Sequence, residues 1–408
     1  MSPPVRIAVV GGGVSACSLA YGLRHEIARN EISLSVFEMG RTSGGRATTR
    51  RTREWPELRV DHGAPAFSVK TSGFATLCEE MARVGALKQC DLTTMPFGLL
   101  TKDGHFKSED TPPLRYAPSK GKGMSVLCDT LLRSISSDED GPPLVQTIYG
   151  TMVGRVEKAD LSSPWHLHSK KGDHVGAFDW LVVTSTGIAH PRWRTTFGGE
   201  PPLVEAAWGL GDTALDLSLA ALAPMKSYPV TACLCAYTGE AAAAWASLPF
   251  YKATIEQDET LARVVVQRLS HDLTTVVLHS THTFAEKAAK VYGSSSTAAR
   301  LAGAASDGEV EGKILDDMLA AAEARLGHLG LPREIVRGPA WGPLLHRWGA
   351  AFPEPGVFTQ SDALVPSAKV AFAGDYVDVG DGRVGTVEGA ALSGLRTAEA
   401  LLQELGKA

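Results

Sequence analysis

Disulfides, membrane spans and a basic face are all missing from this chain of 408 residues. Its six cysteines are scattered, which excludes a disulfide framework and fits a reducing compartment. No apolar run approaches the roughly 20 residues a membrane helix needs, so no transmembrane anchor is expected. A formal net charge of -5 excludes the basic footprint by which nucleic acid is held. No basic stretch with an apolar core precedes the strand beginning at Arg6, so no cleaved leader and a cytoplasmic location are expected. Metal ligands are no better represented. Cys233 and Cys235 form a CxC without a second pair, and His166 and His168 an HxH without a third ligand, so packing and surface roles are expected and no metal. Lys120-Gly121-Lys122-Gly123 lacks a Walker pattern and reads as the turn before a helix over 125–133.

What is present is concentrated at the start. Arg6 to Val10 reads as a buried parallel strand, and 15–24 has helical spacing, with Ala16, Leu19, Ala20 and Leu23 on one stripe. Between them stands Gly11-Gly12-Gly13-Val14-Ser15-Ala16. Gly11 serves a tight turn, Gly13 lets a pyrophosphate approach the backbone, and Ala16 lets the helix lie against the strand. The helix start offers free N–H groups and a partial positive charge to that pyrophosphate. Glu38 closes a second strand, 32–37, about 20 residues on, where an adenosine ribose needs a carboxylate. The pattern is that of a dinucleotide site. It occurs once, which excludes a separate NAD(P)H-binding domain.

Further along, 71–87 has helical spacing, 99–106 broken at Asp103-Gly104 looks like a hairpin, and 138–143 is an acidic connector. Strands are expected at 145–148, 152–156 and 165–168 in one sheet, and at 178–187. Between 201 and 331, alanine-rich helices alternate with β-branched runs at 263–266 and 274–278, which suggests an antiparallel sheet backed by helices, including 314–326. The stretch 293–308 reads as a polar loop. The tail returns to a buried strand, 369–373, then Gly374-Asp375, a glycine-rich loop and a small-residue helix from Val387.

Taken in order, Gly11-Gly12-Gly13, Glu38, Ser43-Gly44-Gly45-Arg46-Ala47-Thr48-Thr49, Asp61-His62-Gly63-Ala64, 178–184, His346-Arg347-Trp348 and Ala373-Gly374-Asp375 resemble the flavin-dependent amine oxidase superfamily. Within it the chain is most similar to the renalase-like branch. The resemblance implies an α/β fold: an FAD-binding Rossmann-like domain of the p-hydroxybenzoate-hydroxylase-like group, over 1–68, 112–200 and 335–408. A second, mixed or antiparallel substrate domain would take 69–111 and 201–334. It also implies that Arg46 and Ala47 meet the pyrophosphate and that the Gly63-Ala64 loop contacts the cofactor. Val153 would meet adenine, Asp375 would accept a hydrogen bond from the ribityl chain or orient an N–H toward a phosphate, and Val387 would meet the flavin pyrimidine. Pro65 departs from the family pattern and has no N–H to offer. No cysteine adjoins Ser393-Gly394, so the FAD is expected to be non-covalent.

The resemblance implies the activity of an oxidase: a small donor, such as a dihydro isomer of NAD(P)H, gives a hydride to flavin N5, and O2 takes the electrons to give H2O2. Such a site needs positioning more than acid–base groups. Trp348 and Tyr376 are the candidate pocket residues, with Trp348 alternatively a core residue at a domain interface. His346 and Arg347 have a structural alternative, pairing across that interface. Rival readings on the same fold are an amine oxidase, a desaturase of an apolar substrate, and an FAD-stabilised binding protein without catalysis. The oligomeric state is not legible in the sequence.

Overall fold

The computed structural model describes residues 3–135, 144–289, 291, 293, 296 and 307–407. The acidic connector at 138–143 and most of the polar stretch 293–308 lie outside the described residues.

Ile7, Ala8 and Val9 are fully buried because both faces of their strand, Val5–Val10, are covered. It pairs in parallel with Ile32–Glu38 on one side and Trp180–Val183 on the other. The sheet extends to Gln146–Tyr149 at one edge and through Val370–Phe372 to Leu364–Val365 at the other, where the last pair is antiparallel. One face packs Ile7, Val9, Leu34 and Val182 against Leu19 and Leu401 of the first and last helices. The other buries Ala8, Val10, Leu181 and Phe372 with Trp165 and Leu167.

The first helix is Val14–Gly22, shorter than the periodicity suggested; at Leu23 ψ rises to 6°, and a second short helix, Arg24–Ala28, follows. The last helix, Val387–Glu404, crosses the first very closely. A Cβ on Gly394 would lie 2.2 Å from the Ser15 carbonyl oxygen. Only glycine permits that crossing, and the crossing fixes the helix start that carries Gly13.

Trp165–Ser169 sits in a three-stranded antiparallel sheet with Val153–Glu157 and His174–Phe178. The strand expected at 145–148 is not part of it. Gln146–Tyr149 pairs in parallel with Ile32–Glu38, and Gly150, at φ +68°, turns the chain away before Val153.

The second large sheet has seven strands, in the order Trp341–Pro353, Ser227–Thr238, Leu273–Ser280, Leu261–Arg268, Lys252–Ile255, Phe97–Leu100 and Phe106–Ser108. The expected antiparallel sheet is therefore present, with one parallel pairing, Lys252–Ile255 against Phe97–Leu100. Tyr237, Val264 and Val266 on one face pack under Trp245 and Met318, the latter from the helix Gly308–Leu326. The opposite face, carrying Ala232, Leu234, Val265 and Val277, packs on Leu58 and Val60.

Two stretches change sides relative to the expected domain boundaries. Trp341–Pro353 falls in the expected cofactor segment 335–408, yet it pairs along its length with Ser227–Thr238 and belongs to the seven-stranded sheet. Its alternation explains why: Leu345 is buried on the helix-covered face while Leu344, His346 and Trp348 turn to the other. Conversely, the helix Ser72–Arg83, from the expected substrate segment, packs Phe74 and Leu77 against Val14 and Cys17. It starts at Thr71, whose hydroxyl accepts from the Phe74 N–H, and ends before Gly85 (φ +68°), so 84–87 is not helical.

Candidate functional site

Between the two large sheets lies a cavity of about 1450 Å³. Every residue singled out from the sequence as a cofactor or pocket contact borders it except Ala16, which is wholly buried on the side of the first helix that faces the sheet. At one end is the glycine loop. Gly11 has φ +109°, and a Cβ there would meet Thr184 Oγ1 at 2.7 Å. Gly13 differs: its φ of -77° suits any residue, and a Cβ would meet nothing within 4 Å. Its missing side chain therefore opens space into the cavity and relieves no clash within the protein. Ser15 Oγ, in the first turn of the helix, is buried with no hydrogen-bond partner. An orphaned donor beside an open glycine at a helix N-terminus is what a phosphate would satisfy.

Glu38 ends the second strand beside this loop. Its carboxylate accepts from the Gly12 N–H at 2.7 Å and from the Gly40 N–H. Each oxygen keeps a further lone pair for a ligand hydroxyl. Burial pushes the carboxyl up, and the two N–H groups oppose that shift.

The Gly44-Gly45-Arg46 turn lies against the loop, with the Gly44 N–H donating to Gly12 O at 2.8 Å. Arg46 forms a two-pronged pair with Asp375, both contacts 2.6 Å, and also donates to Ala351 O. The charge that the resemblance aims at a pyrophosphate is thus largely balanced by Asp375, and both Asp375 oxygens already accept a bond. Val153 and the Gly63-Ala64 turn complete this wall, the Ala64 N–H bonding Arg46 O at 3.0 Å. Val387 opens the last helix, capped by Thr386, whose hydroxyl accepts from the Gly389 N–H at 2.9 Å. Glu388, next to it, is buried and accepts from Lys70 N, Thr71 N and the Thr71 hydroxyl at 2.6–2.9 Å. That tie anchors the helix start to the segment before Ser72–Arg83.

The other end of the cavity is aromatic. Trp348 stacks on His62 with ring centroids 5.3 Å apart and planes 20° apart, and it is edge-to-face with His346, their centroids 4.3 Å apart. His346 and His62 are in turn edge-to-face at 4.5 Å. His279 reaches the same cluster, its Nε2 2.7 Å from His62 O. Burial lowers all three imidazoles, His62 to about 4, His279 to about 3 and His346 well below its ordinary value. They are neutral near pH 7. Neither ring nitrogen of His346 has a partner, nor does Trp348 Nε1. Tyr376 is placed differently: its hydroxyl donates to Val183 O at 2.6 Å and its ring packs on Phe358, so it braces the wall from the core. Pro65 also borders the cavity, and its carbonyl accepts from the Tyr251 hydroxyl at 3.3 Å.

Sequence reasoning missed His279, Glu388, Lys252 and Arg263, all of which border the cavity or its supports. A usable signal existed for Lys252, Arg263 and His279: each is a polar residue at an alternating position within an apolar strand. The CxC lies in the seven-stranded sheet and the HxH in the three-stranded one. Cys233 and Cys235 lie side by side in a strand with Sγ atoms 3.8 Å apart, and among the described residues no group of three or more side chains is placed to hold a metal. No described helix is long and apolar enough to cross a membrane.

Residues 9–79 match the family model of the NAD(P)-binding Rossmann-like domain. The dinucleotide end is Rossmann-like. The whole fold is shared with solved structures at low identity. A putrescine oxidase with putrescine bound is 12% identical, covering 98% of this chain and 100% of that one at a TM-score of 0.56. An oxidoreductase from Methanosarcina mazei is 12% identical, covering 97% and 100% at 0.57. A fatty acid isomerase from P. acnes that produces CLA is 11% identical, covering 99% of each chain at 0.56. No curated protein matches the chain. Such identities speak to the fold, and one fold carries many reactions.

Proposed function

We propose that this chain is an FAD-dependent oxidoreductase of the renalase-like kind, an oxidase that holds FAD without a covalent bond. The observation that carries the reading is the cavity itself. At about 1450 Å³ it exceeds the roughly 300–1,000 Å³ of an ordinary small-molecule pocket, and its two ends differ in kind. One end has the open Gly13, the orphaned Ser15 hydroxyl and the Glu38 carboxylate, a set that fits an ADP moiety. The other is walled by Trp348, His62 and His346, and it is there that a second molecule would lie.

When bound, FAD supplies the hydride acceptor and the path of electrons to O2, with H2O2 as the product. The chain's own residues do the positioning. Trp348 offers a flat apolar face against which a planar donor, such as a dihydro isomer of NAD(P)H, can stack. The neutral His346 has both ring nitrogens unpaired, so one can accept a hydrogen bond from the donor while the other donates one. The Val387 helix start turns its N-terminal dipole to the cavity, favouring negative charge there. An amine oxidase is the second reading, favoured by the fold likeness to putrescine oxidase.

The test is anaerobic mixing of the yellow protein with dihydronicotinamide isomers, primary amines and polyenes. Fast bleaching of the flavin by a dihydronicotinamide alone supports the first reading. Bleaching by amines or polyenes alone replaces it, and a flavin that no donor reduces leaves a non-catalytic binding protein.

A further inference from the structure

The seven-stranded sheet turns one face to the cavity, and the side chains on it can be read across the strands. Arg263 is paired with His279, His279 with Ala232 and Ala232 with His346, so these four stand in one row on one face. Lys252, on the next strand, is paired with Val265, two residues along from Arg263 on the same face. The row therefore begins with the imidazole and indole cluster and ends with two cations. Three inter-strand spacings separate the His346 strand from the Arg263 strand, about 14 Å.

The cationic end is built into the cavity wall. Lys252 and Arg263 both line it and both are only partly exposed. Among the described residues no carboxylate lies in ion-pair contact with either; the acidic group that acts on Lys252, Glu109, is paired with Arg115. The Arg263 guanidinium stands 5.6 Å over the Phe352 ring. Beside Lys252, Arg115 lies 4.2 Å over Phe97 and is itself paired with Glu109 at 2.7 Å. Glu109 is thus spoken for by Arg115, and the charge left facing the cavity is positive. Burial, with Arg263 and Arg115 nearby, pulls the Lys252 ammonium down to about 8, against a smaller upward pull from Glu109. Two desolvated cations facing one cavity repel each other, an arrangement that an incoming anion relieves.

We propose that Lys252 and Arg263 form an anion-binding subsite, and that the donor carries an acid group, carboxylate or phosphate, seated there while its reactive end lies toward Trp348 and His346. This rests on the reading of the cavity as a cofactor-and-donor site and sharpens it: a cationic amine would meet like charge. The subsite also has a pH signature. Near pH 7 both cations are charged, and above about 8 Lys252 loses its proton, leaving Arg263 alone.

Isothermal titration of the protein as isolated tests this with three probes alike in ring and chain: 4-phenylbutyrate, 4-phenylbutyl phosphate and 4-phenylbutylamine. At least one acid should bind, and at least tenfold more tightly than the amine; the two acids distinguish carboxylate from phosphate. Lys252→Met should weaken the acid at least fivefold, Lys252→Arg should restore it, and wild-type affinity should fall between pH 7.5 and 9.5 while Lys252→Arg affinity stays level. Binding of the amine as tightly as either acid, no binding of either acid, or acid binding unchanged in both Lys252→Met and Arg263→Met would overturn the proposal. Calorimetry needs no colour change. A protein that binds the acids without any flavin would therefore refute the cofactor reading alone, and a flavoprotein indifferent to charge would refute the subsite alone.

Discussion

Replacing Gly13 by alanine adds one methyl group at a point where the protein has nothing to collide with. The nearest heavy atom beyond the chain neighbours is more than 4 Å from the added carbon, and φ is -77°, a value alanine adopts without strain. Stability without cofactor should stay the same or rise by about 0.4–1 kcal/mol, because alanine restricts the unfolded chain. If that open space receives a pyrophosphate, the methyl must push it away from the helix N–H groups. FAD affinity should then fall at least about tenfold, roughly 1.4 kcal/mol. Gly394→Ala makes the opposite case. Its methyl would lie 2.2 Å from Ser15 O and 2.9 Å from Leu19 N, so the first and last helices must part by about 1 Å. Overpacking of that kind costs about 1–3 kcal/mol, a loss of about 1–4 °C in Tm for a chain of this size. Melting curves with and without FAD, together with fluorescence titration of FAD, separate the two. Gly13→Ala protein that is stable and binds FAD like the wild type would refute the placement of the pyrophosphate.

Three further outcomes are expected. Glu38→Gln keeps the size but turns an amide N–H toward either the Gly12 or the Gly40 N–H, and should weaken FAD on the order of tenfold in a titration of apoprotein; unchanged affinity would place the ribose elsewhere. Trp348→Ala removes a cavity wall, so flavin content should hold while anaerobic reduction by the true donor slows on the order of a hundredfold; loss of flavin with a drop of about 3–5 kcal/mol in stability would make it core instead. The buried imidazoles give a pH dependence with a definite sign. His62, His279 and His346 stay neutral when folded but take protons near 6.5 when unfolded, so each removes stability as pH falls below that value. Asp61, raised to about 6 by burial, acts in the opposite direction, as do the raised carboxyls of Glu38 and Asp129, but His190 is lowered too, so four imidazoles stand against three carboxyls. The urea midpoint should fall steeply between pH 6.5 and 4.5, and less steeply in His279→Gln; equal slopes would show that His279 is not held neutral.

The local features of the site were legible and the long-range ones were not. Gly11, Gly13, Ser15 and Glu38 belong to one strand–turn–helix–strand unit, so their spacing along the chain encodes their geometry. Cys233 and Cys235 were equally plain, because alternate residues of a strand share a face. The Arg46–Asp375 pair joins residues 329 positions apart, and nothing in either local pattern says that two motif residues would bond each other. Strand pairing hides in the same way. Trp341–Pro353 looks like a return to the cofactor domain because Gly374-Asp375 follows it, yet its partner is Ser227–Thr238. The row from His346 to Arg263 exists only once four strands are in register, so its cations could be seen only in the folded sheet.

The central claim, that the glycine loop and Glu38 hold the adenosine half of FAD, is tested most directly by identifying what the protein carries. Purified protein, or apoprotein mixed with equimolar FAD, FMN and NAD and then desalted, is denatured by heat without proteolysis, and the supernatant is resolved by chromatography. FAD near one equivalent per chain is the result expected. FMN, NAD alone, no nucleotide, or a flavin that stays with the precipitated chain would contradict the account.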